Sequence, residues 1–292
     1  AAEEDGADET STTETPSTTS ESPATTEPST AVPEPLDDQT PPTALNGLEV
    51  DGDTIWVASI ESNQVLQLDR ASGAILTRVD VTPSQPDDVT VGPDGAVYWT
   101  GFNDGTVGRI VNGVSEPIAN VGPGANPLGF TGTGELVVGR ALTADDLWRV
   151  PLDGGEPELI ATPVGNLNAF VVDGDRVVGP TGGLTGPGSV TAVDVTTGEV
   201  TELAGGFEFP VTASDISPDG VIHLLSFTGQ LRTFDEGTAS VELVLELPDR
   251  IFDNLSFAED GTLYLSDFRS PSIAVVASDG TVTGLTVGEP AG

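Results

Sequence analysis

The feature that most constrains this chain is a glycine turn that returns about every forty residues. It follows a short apolar strand at Gly52 ("VDGDTIWVAS"), Gly95 ("VGPDGAVYWT"), Gly134 ("FTGTGELVVG"), Gly174 ("VVDGDRVVG"), Gly220 ("ISPDGVIHLL") and Gly261 ("FAEDGTLYLS"), at spacings of 43, 39, 40, 46 and 41. A second turn series trails the first, including "NG" at 112–113, "DGG" at 153–155, "TTG" at 196–198 and "SDG" at 278–280. Each unit therefore reads strand, turn, strand, loop, strand, turn, strand. Four short antiparallel strands in about 40 residues make one blade of a propeller. No segment sustains the i, i+3, i+4, i+7 apolar spacing of a helix. The expected fold is all-β, a six-bladed β-propeller of four-stranded antiparallel blades. The first repeat supplies an innermost strand and the last an outermost one, so no strand exchange is evident. A contribution from around residues 31–37 is the alternative route to closing the ring.

The repeats span about Leu45 to Val287, and what precedes them is a different kind of sequence. Residues 1–45 carry 11 of the 47 acidic residues, no basic residue, and only Val32, Leu36 and Leu45 among the large aliphatics. Runs such as "STTETPSTTS" bury too little apolar surface to offset the entropy of ordering. Residues 1–44 are expected to be a disordered, extended linker or stalk, and residues 45–292 the propeller.

The formal net charge is −38, every base is Arg, and there is no Lys, Cys or Met. A field this negative argues against nucleic acid and anionic membrane surfaces; a salty habitat explains the acidity as well as cation binding does. The lack of Cys excludes disulfides, thiol catalysis and Cys-ligated metals. No stretch approaches the roughly 18 apolar residues of a membrane span. The acidic Ser/Thr/Pro tail reads as the linker of a secreted or surface-tethered, lipoprotein-like molecule whose signal segment has been removed. The cysteine that lipidation would need is absent from this sequence.

Propeller topology puts the residue before each innermost strand around the mouth of the central channel. Aligned on the turns, that ring is Asn46, Asp87, Asn126, Asn168, Thr212 and Asp253, and the next positions are Gly47, Asp88, Pro127, Ala169, Ala213 and Asn254. Asn and Asp are favoured before strands because they bond their own backbone. They are also the hard oxygen donors that calcium takes, six to eight at a time. On the second reading Asp253, Asn168, Asn126, Asp87, Asn46 and Asn254 are candidate calcium ligands. Glu49 and Asp215, deeper on the inner strands, either add charge or point into blade interfaces.

These repeats, and particularly "FDNLSFAEDG", resemble the calcium-dependent lactonase and esterase propellers of the gluconolactonase/senescence-marker, paraoxonase and strictosidine-synthase-like superfamily. The resemblance implies a metal at the channel mouth. It also matches Asp253 and Asn254 to an Asp-Asn pair before a late innermost strand, and Asn126 and Asn168 to middle-blade asparagines. The sequence departs from that pattern in three places. The family's first-blade metal-binding Glu falls at Asn46, the "EGP" signature is missing, and the single histidine, His223, falls where Trp56, Tyr98 and Tyr264 pack.

Two functions follow. One is an extracytoplasmic binding module, monomeric, taking a small-molecule or protein ligand at the mouth face around calcium. The alternative is a metal-dependent hydrolase of lactones or esters, in which Asp253, then Asp87, carries metal ligation and proton transfer. Mouth-face loops offer Arg140, Arg269, Phe102 and Phe268 for a substrate, with salt bridging as the simpler role for the arginines. Without a histidine base no Ser-His-Asp triad is available. The Gly-rich loop at 179–188 opens no helix, so it shapes a pocket rather than cradling phosphate.

Overall fold

The computed structural model describes residues 32–182 and 187–288. They form six four-stranded antiparallel sheets, each built from four consecutive strands in simple order. Blade 1 is β1 (Leu48–Asp51), β2 (Thr54–Ser59), β3 (Gln64–Asp69) and β4 (Ile75–Asp80). The innermost strands of blades 2 to 6 are β5 (Pro86–Val91), β9 (Ala125–Phe130), β13 (Val171–Asp173), β17 (Ala213–Ile216) and β21 (Phe252–Phe257). No helix occurs among the described residues. The six glycines that mark the repeat all have positive φ, from 55° to 83°, the conformation a tight hairpin needs and side chains resist.

The strands alternate side chains toward the two faces of each blade, and both faces must be covered. Buried apolar residues accordingly gather in six clusters, one between each neighbouring pair of blades. Leu45, Ile55, Leu66 and Leu68 of blade 1 pack with Ala258, Ile273 and Leu285 of blade 6 and so close the ring. Among the described residues no strand is exchanged. Instead the Leu45 N–H bonds the Asp267 carbonyl at 3.1 Å and the Gly288 N–H bonds the Gly73 carbonyl at 3.0 Å. Residues 36–40, within the span read as linker, lie along β4. The Leu36 N–H donates to the Ile75 carbonyl, and the Gln39 amide bonds both the carbonyl and the N–H of Ile75 at 3.0 and 2.8 Å. This strap satisfies part of an outer edge that would otherwise be open. The rest of the expected linker, residues 1–31, lies outside the described residues.

Candidate functional site: an acidic channel mouth

The residue pairs expected at the channel mouth sit on a repeated irregularity. In blade 2 the pairing of β5 with β6 (Val97–Gly101) skips from Pro86–Gly101 to Val89–Trp99, so Asp87 and Asp88 together oppose Thr100. In blade 6 the pairing of β21 with β22 (Leu263–Asp267) skips from Phe252–Asp267 to Leu255–Leu265, and Asp253 and Asn254 oppose Ser266. In blade 3 Asn126 and Pro127 oppose Gly139 in the same way. Each is a β-bulge, which bends the strand and re-aims side chains. The extra N–H is satisfied by a buried hydroxyl: Asp88 donates to Thr100 Oγ1 at 3.3 Å and Asn254 to Ser266 Oγ at 3.1 Å.

The structure brings Asn46, Asp87 and Asp253 together. The Asn46 amide nitrogen donates to Asp87 Oδ1 at 3.3 Å and lies close enough to Asp253 to favour its charged form. Its oxygen accepts the Ile60 N–H at 3.0 Å, which fixes the orientation. Burial pushes Asp253 up to about 7, against the pull of Asn46. Burial, then the charges of Asp253 and Asp88, raise Asp87 well above the carboxylate range. The next positions form a second link across the channel. Asn254 donates to Asp88 Oδ1 at 3.1 Å, while Asp88 also accepts the N–H groups of Val89 and, from blade 3, Leu128. Gly47 stands at the matching position of blade 1, where a Cβ would meet Asp88 Oδ1 at 2.0 Å. The missing side chain makes room for Asp88.

Below the mouth lies a cavity of about 230 Å³ whose lining includes Glu49, Asp88, Thr90, Asp215, Asn254 and Ser256. Glu49 borders this space and is half-buried; burial, then the charges of Asp215 and Asp88, push it up to about 8. Burial likewise pushes Asp88 to about 8 and Asp215 to about 6. Asp215 also works as a blade fastener, accepting the Phe257 N–H of blade 6 at 2.8 Å. Among the described residues no arginine pairs with any of these five carboxylates.

Other expected residues are placed differently. Asn126 and Asn168 are half-buried, and their side chains make no hydrogen bond to the Asp87–Asn46–Asp253 group among the described residues. Thr212 turns its hydroxyl onto the Leu225 carbonyl at 3.1 Å. Arg140 is taken by Asp146, with Nε to Oδ1 at 2.8 Å. Arg269 is exposed, and Phe268 leans on Phe227 with ring centroids 5.6 Å apart; Phe102 is half-buried. His223 sits on the second strand of blade 5 near the turn at Gly220, at the opposite end of the sheet from the mouth, its ring tilted against Phe257 with centroids 4.7 Å apart. Residues 183–186 of the Gly-rich loop lie outside the described residues. Among the described residues no group of three carboxylates or imidazoles is arranged to hold a metal.

Fold and site together define a six-bladed β-propeller with an acidic channel mouth. No family model and no curated protein matches the chain. Solved structures do. Virginiamycin B lyase from Staphylococcus aureus superposes with a TM-score of 0.65 at 12% identity, over 88% of this chain and 89% of that one. A gluconolactonase from Xanthomonas campestris gives 0.63 at 14%, over 78% and 84%. The calcium-binding protein regucalcin from Agrobacterium tumefaciens gives 0.61 at 17%, over 85% and 91%. At these identities the likeness is one of fold, which propellers of many functions share.

Proposed function

We propose that this protein is a ligand-binding propeller whose channel mouth takes a divalent cation, with calcium as the ion that suits an all-oxygen donor set. The observation that carries the reading is the Asp87–Asn46–Asp253 group, one buried and one half-buried carboxylate against one amide with no arginine beside them. Buried carboxylates without a counter-charge take up protons or a cation. Asp87 and Asp253 fit as charged ligands, and Asn126 and Asn168 as neutral ones. Asn46 and Asn254 fit less well, because each turns its amide nitrogen toward a carboxylate and has its oxygen occupied by the N–H of Ile60 or Leu255. Asn46 thus supplies a hydrogen bond where the resembling family has a charge. A bound cation would neutralise the carboxylates and polarise a ligand carbonyl at the mouth. The likeness to a calcium-binding propeller supports this reading.

The test is calcium titration followed by thermal melting and calorimetry at pH 7.5. At a hundredfold excess over Kd the midpoint should rise by the equivalent of about 2.7 kcal/mol. Asp87→Asn and Asp253→Asn should each abolish the calcium-dependent rise, whatever they do to the metal-free midpoint. A wild-type protein that shows neither heat nor shift removes the cation from the account.

A second reading, hydrolysis of a lactone or ester, is favoured by Asp253. A carboxyl held near 7 is suited to accept a proton from water at neutral pH. The gluconolactonase likeness supports it, and the position of His223 away from the mouth leaves Asp253 and Asp87 as the proton-handling groups. A lactone and aryl-ester panel with and without chelator separates the readings; calcium binding without turnover selects the binding module. The proposal extends to an extracytoplasmic monomer that takes a small molecule or protein at the mouth, supported by the acidic Ser/Thr/Pro segment and the Lys-free composition.

A further inference from the structure

On the face opposite the mouth, three of the clefts between blades are spanned by an arginine, and a fourth has an arginine paired within one blade beside it. Between blades 6 and 1, Arg70 donates from Nε to the Tyr264 hydroxyl at 2.7 Å, pairs with Asp260, and lies 5.4 Å from the Tyr264 ring centroid. In blade 2, beside the cleft with blade 3, Arg109 pairs with Asp94 of its own blade at 2.6 Å over the Tyr98 ring. Arg149, with Glu135 and the Val195 carbonyl, spans blades 3 and 4, and Arg176, with Asp173 and Glu236, spans blades 4 and 5.

The cleft between blades 5 and 6 has the same parts without the arginine. Pairing registers make Asp219 the counterpart of Asp260 and His223 the counterpart of Tyr264. Arg70 is the first turn residue after β3; the corresponding residue after β23 (Ser272–Val276) and Ala277 is Ser278. Arg70 occupies part of its own cleft and borders a hollow of about 500 Å³; the groove between blades 5 and 6, about 450 Å³, has no guanidinium in its lining. Its apolar walls include Leu263, Val276 and Val244, the last 54% exposed, and its rim carries the exposed Asp219 and Glu259. His223 Nδ1 lies 3.0 Å from the Val221 carbonyl, which makes Nδ1 the donor and leaves Nε2 as an acceptor. That is the role the Tyr264 hydroxyl plays toward Arg70.

We infer that this groove is a docking site for an arginine side chain presented by a partner protein. Its stem would lie along the apolar walls, its guanidinium on the His223–Phe257 ring pair, and its charge between Asp219 and Glu259. Within the described residues the chain has no such cation to offer. It has no Lys, eight of its nine arginines are held by ion pairs, hydrogen bonds or a ring, and Arg269 is on the other face.

The single histidine gives the groove its own signal. In the full chain at pH 7.5, the His223 imidazole resonance is followed by NMR during titration with N-acetyl-arginine methylamide, its citrulline isostere and its lysine analogue. A saturable shift with arginine and none with citrulline is the expected result. Asp219→Asn with Glu259→Gln should weaken binding about fivefold. Ser278→Arg, which would place a guanidinium in the groove as Arg70 does in its own cleft, should remove the shift. If that variant does not fold, the double substitution at the exposed rim carries the test. The inference is overturned by no saturable shift, or by equal responses to citrulline, lysine or calcium alone. It is also overturned by a concentration-dependent shift without ligand that Arg269→Gln removes, since a second copy would then be the occupant.

Discussion

The two ends of the propeller treat the same chemical group in opposite ways. On the outer face and between blades, carboxylates meet arginines: Asp260 with Arg70, Asp94 with Arg109, Asp173 and Glu236 with Arg176. Along the axis, Glu49, Asp87, Asp88, Asp215 and Asp253 meet amides, hydroxyls, backbone N–H groups and one another. In the first set Asp94, Glu236 and Asp260 are held low, as when Thr262 and Arg70 bring Asp260 down to about 2. The second is raised throughout. Arginine is scarce here, nine against 47 acids, and at Arg70, Arg149 and Arg176 it fastens neighbouring blades. A chain seeking only stability would place a cation or an apolar group on the axis. The unpaired axis is therefore the part of the fold that stability does not explain.

The largest effect should come from discharging that axis. Glu49 ionises near 4.5 when unfolded and near 8 in the fold. Between those values the folded state holds the extra proton, so stability is full below about pH 4.5 and falls as pH rises toward 8. Glu49→Gln keeps the shape and removes the charge. With chelator present, it should stabilise the protein at pH 8 by on the order of 2 to 4 kcal/mol and change little at pH 4.5. Equal effects at both pH values would mean that the side chain acts through packing, and the contrast between axis and rim would fail.

How much of this was legible in the sequence divides along the same lines. The turn glycines gave the blade number because a positive φ is a local demand with a local residue answer. The ring addresses followed from topology, and Asn46, Asp87 and Asp253 do meet. The bulges were not legible, because a one-residue shift leaves the alternating pattern of a five- or six-residue strand almost unchanged. Asp88, Thr100 and Ser266 were passed over for that reason, although a hydroxyl opposite each acidic pair is a usable signal. The orientation of Asn46 depends on the Ile60 N–H, and the fate of Asp260 on an arginine 190 residues away. The first partner is set by the loop that ends β2 and the second by ring closure, and no strand-alternation pattern records either.

Breaking a rim clamp should cost less than recharging the axis. Arg70→Ala removes the bonds to Tyr264, Asp260 and the Gly52 carbonyl together with the ring contact. A loss of about 1 to 2 kcal/mol in chemical denaturation is expected. Ser278→Ala, at the matching position beside the open groove, should stay within about 0.5 kcal/mol. A large loss at Ser278 would mean that the two clefts are not built on one plan.

The smallest effect separates two arginines of the mouth face. Arg140 holds Asp146, an 8% exposed carboxylate that also receives the Trp148 indole N–H at 2.6 Å. Arg140→Gln leaves that carboxylate without its ion partner and should cost about 1 to 2 kcal/mol. Arg269 is exposed, and only its backbone N–H is bonded, to Asp267 Oδ1 at 2.9 Å. Arg269→Gln should therefore change stability by less than about 0.5 kcal/mol. A ligand anion arriving at the mouth would meet Arg269 rather than Arg140, so Arg269→Gln is the substitution expected to weaken anionic ligands while leaving the melting midpoint alone. Were it to lower the midpoint as far as Arg140→Gln does, Arg269 would belong with the fasteners, and the mouth would have no free cation to offer.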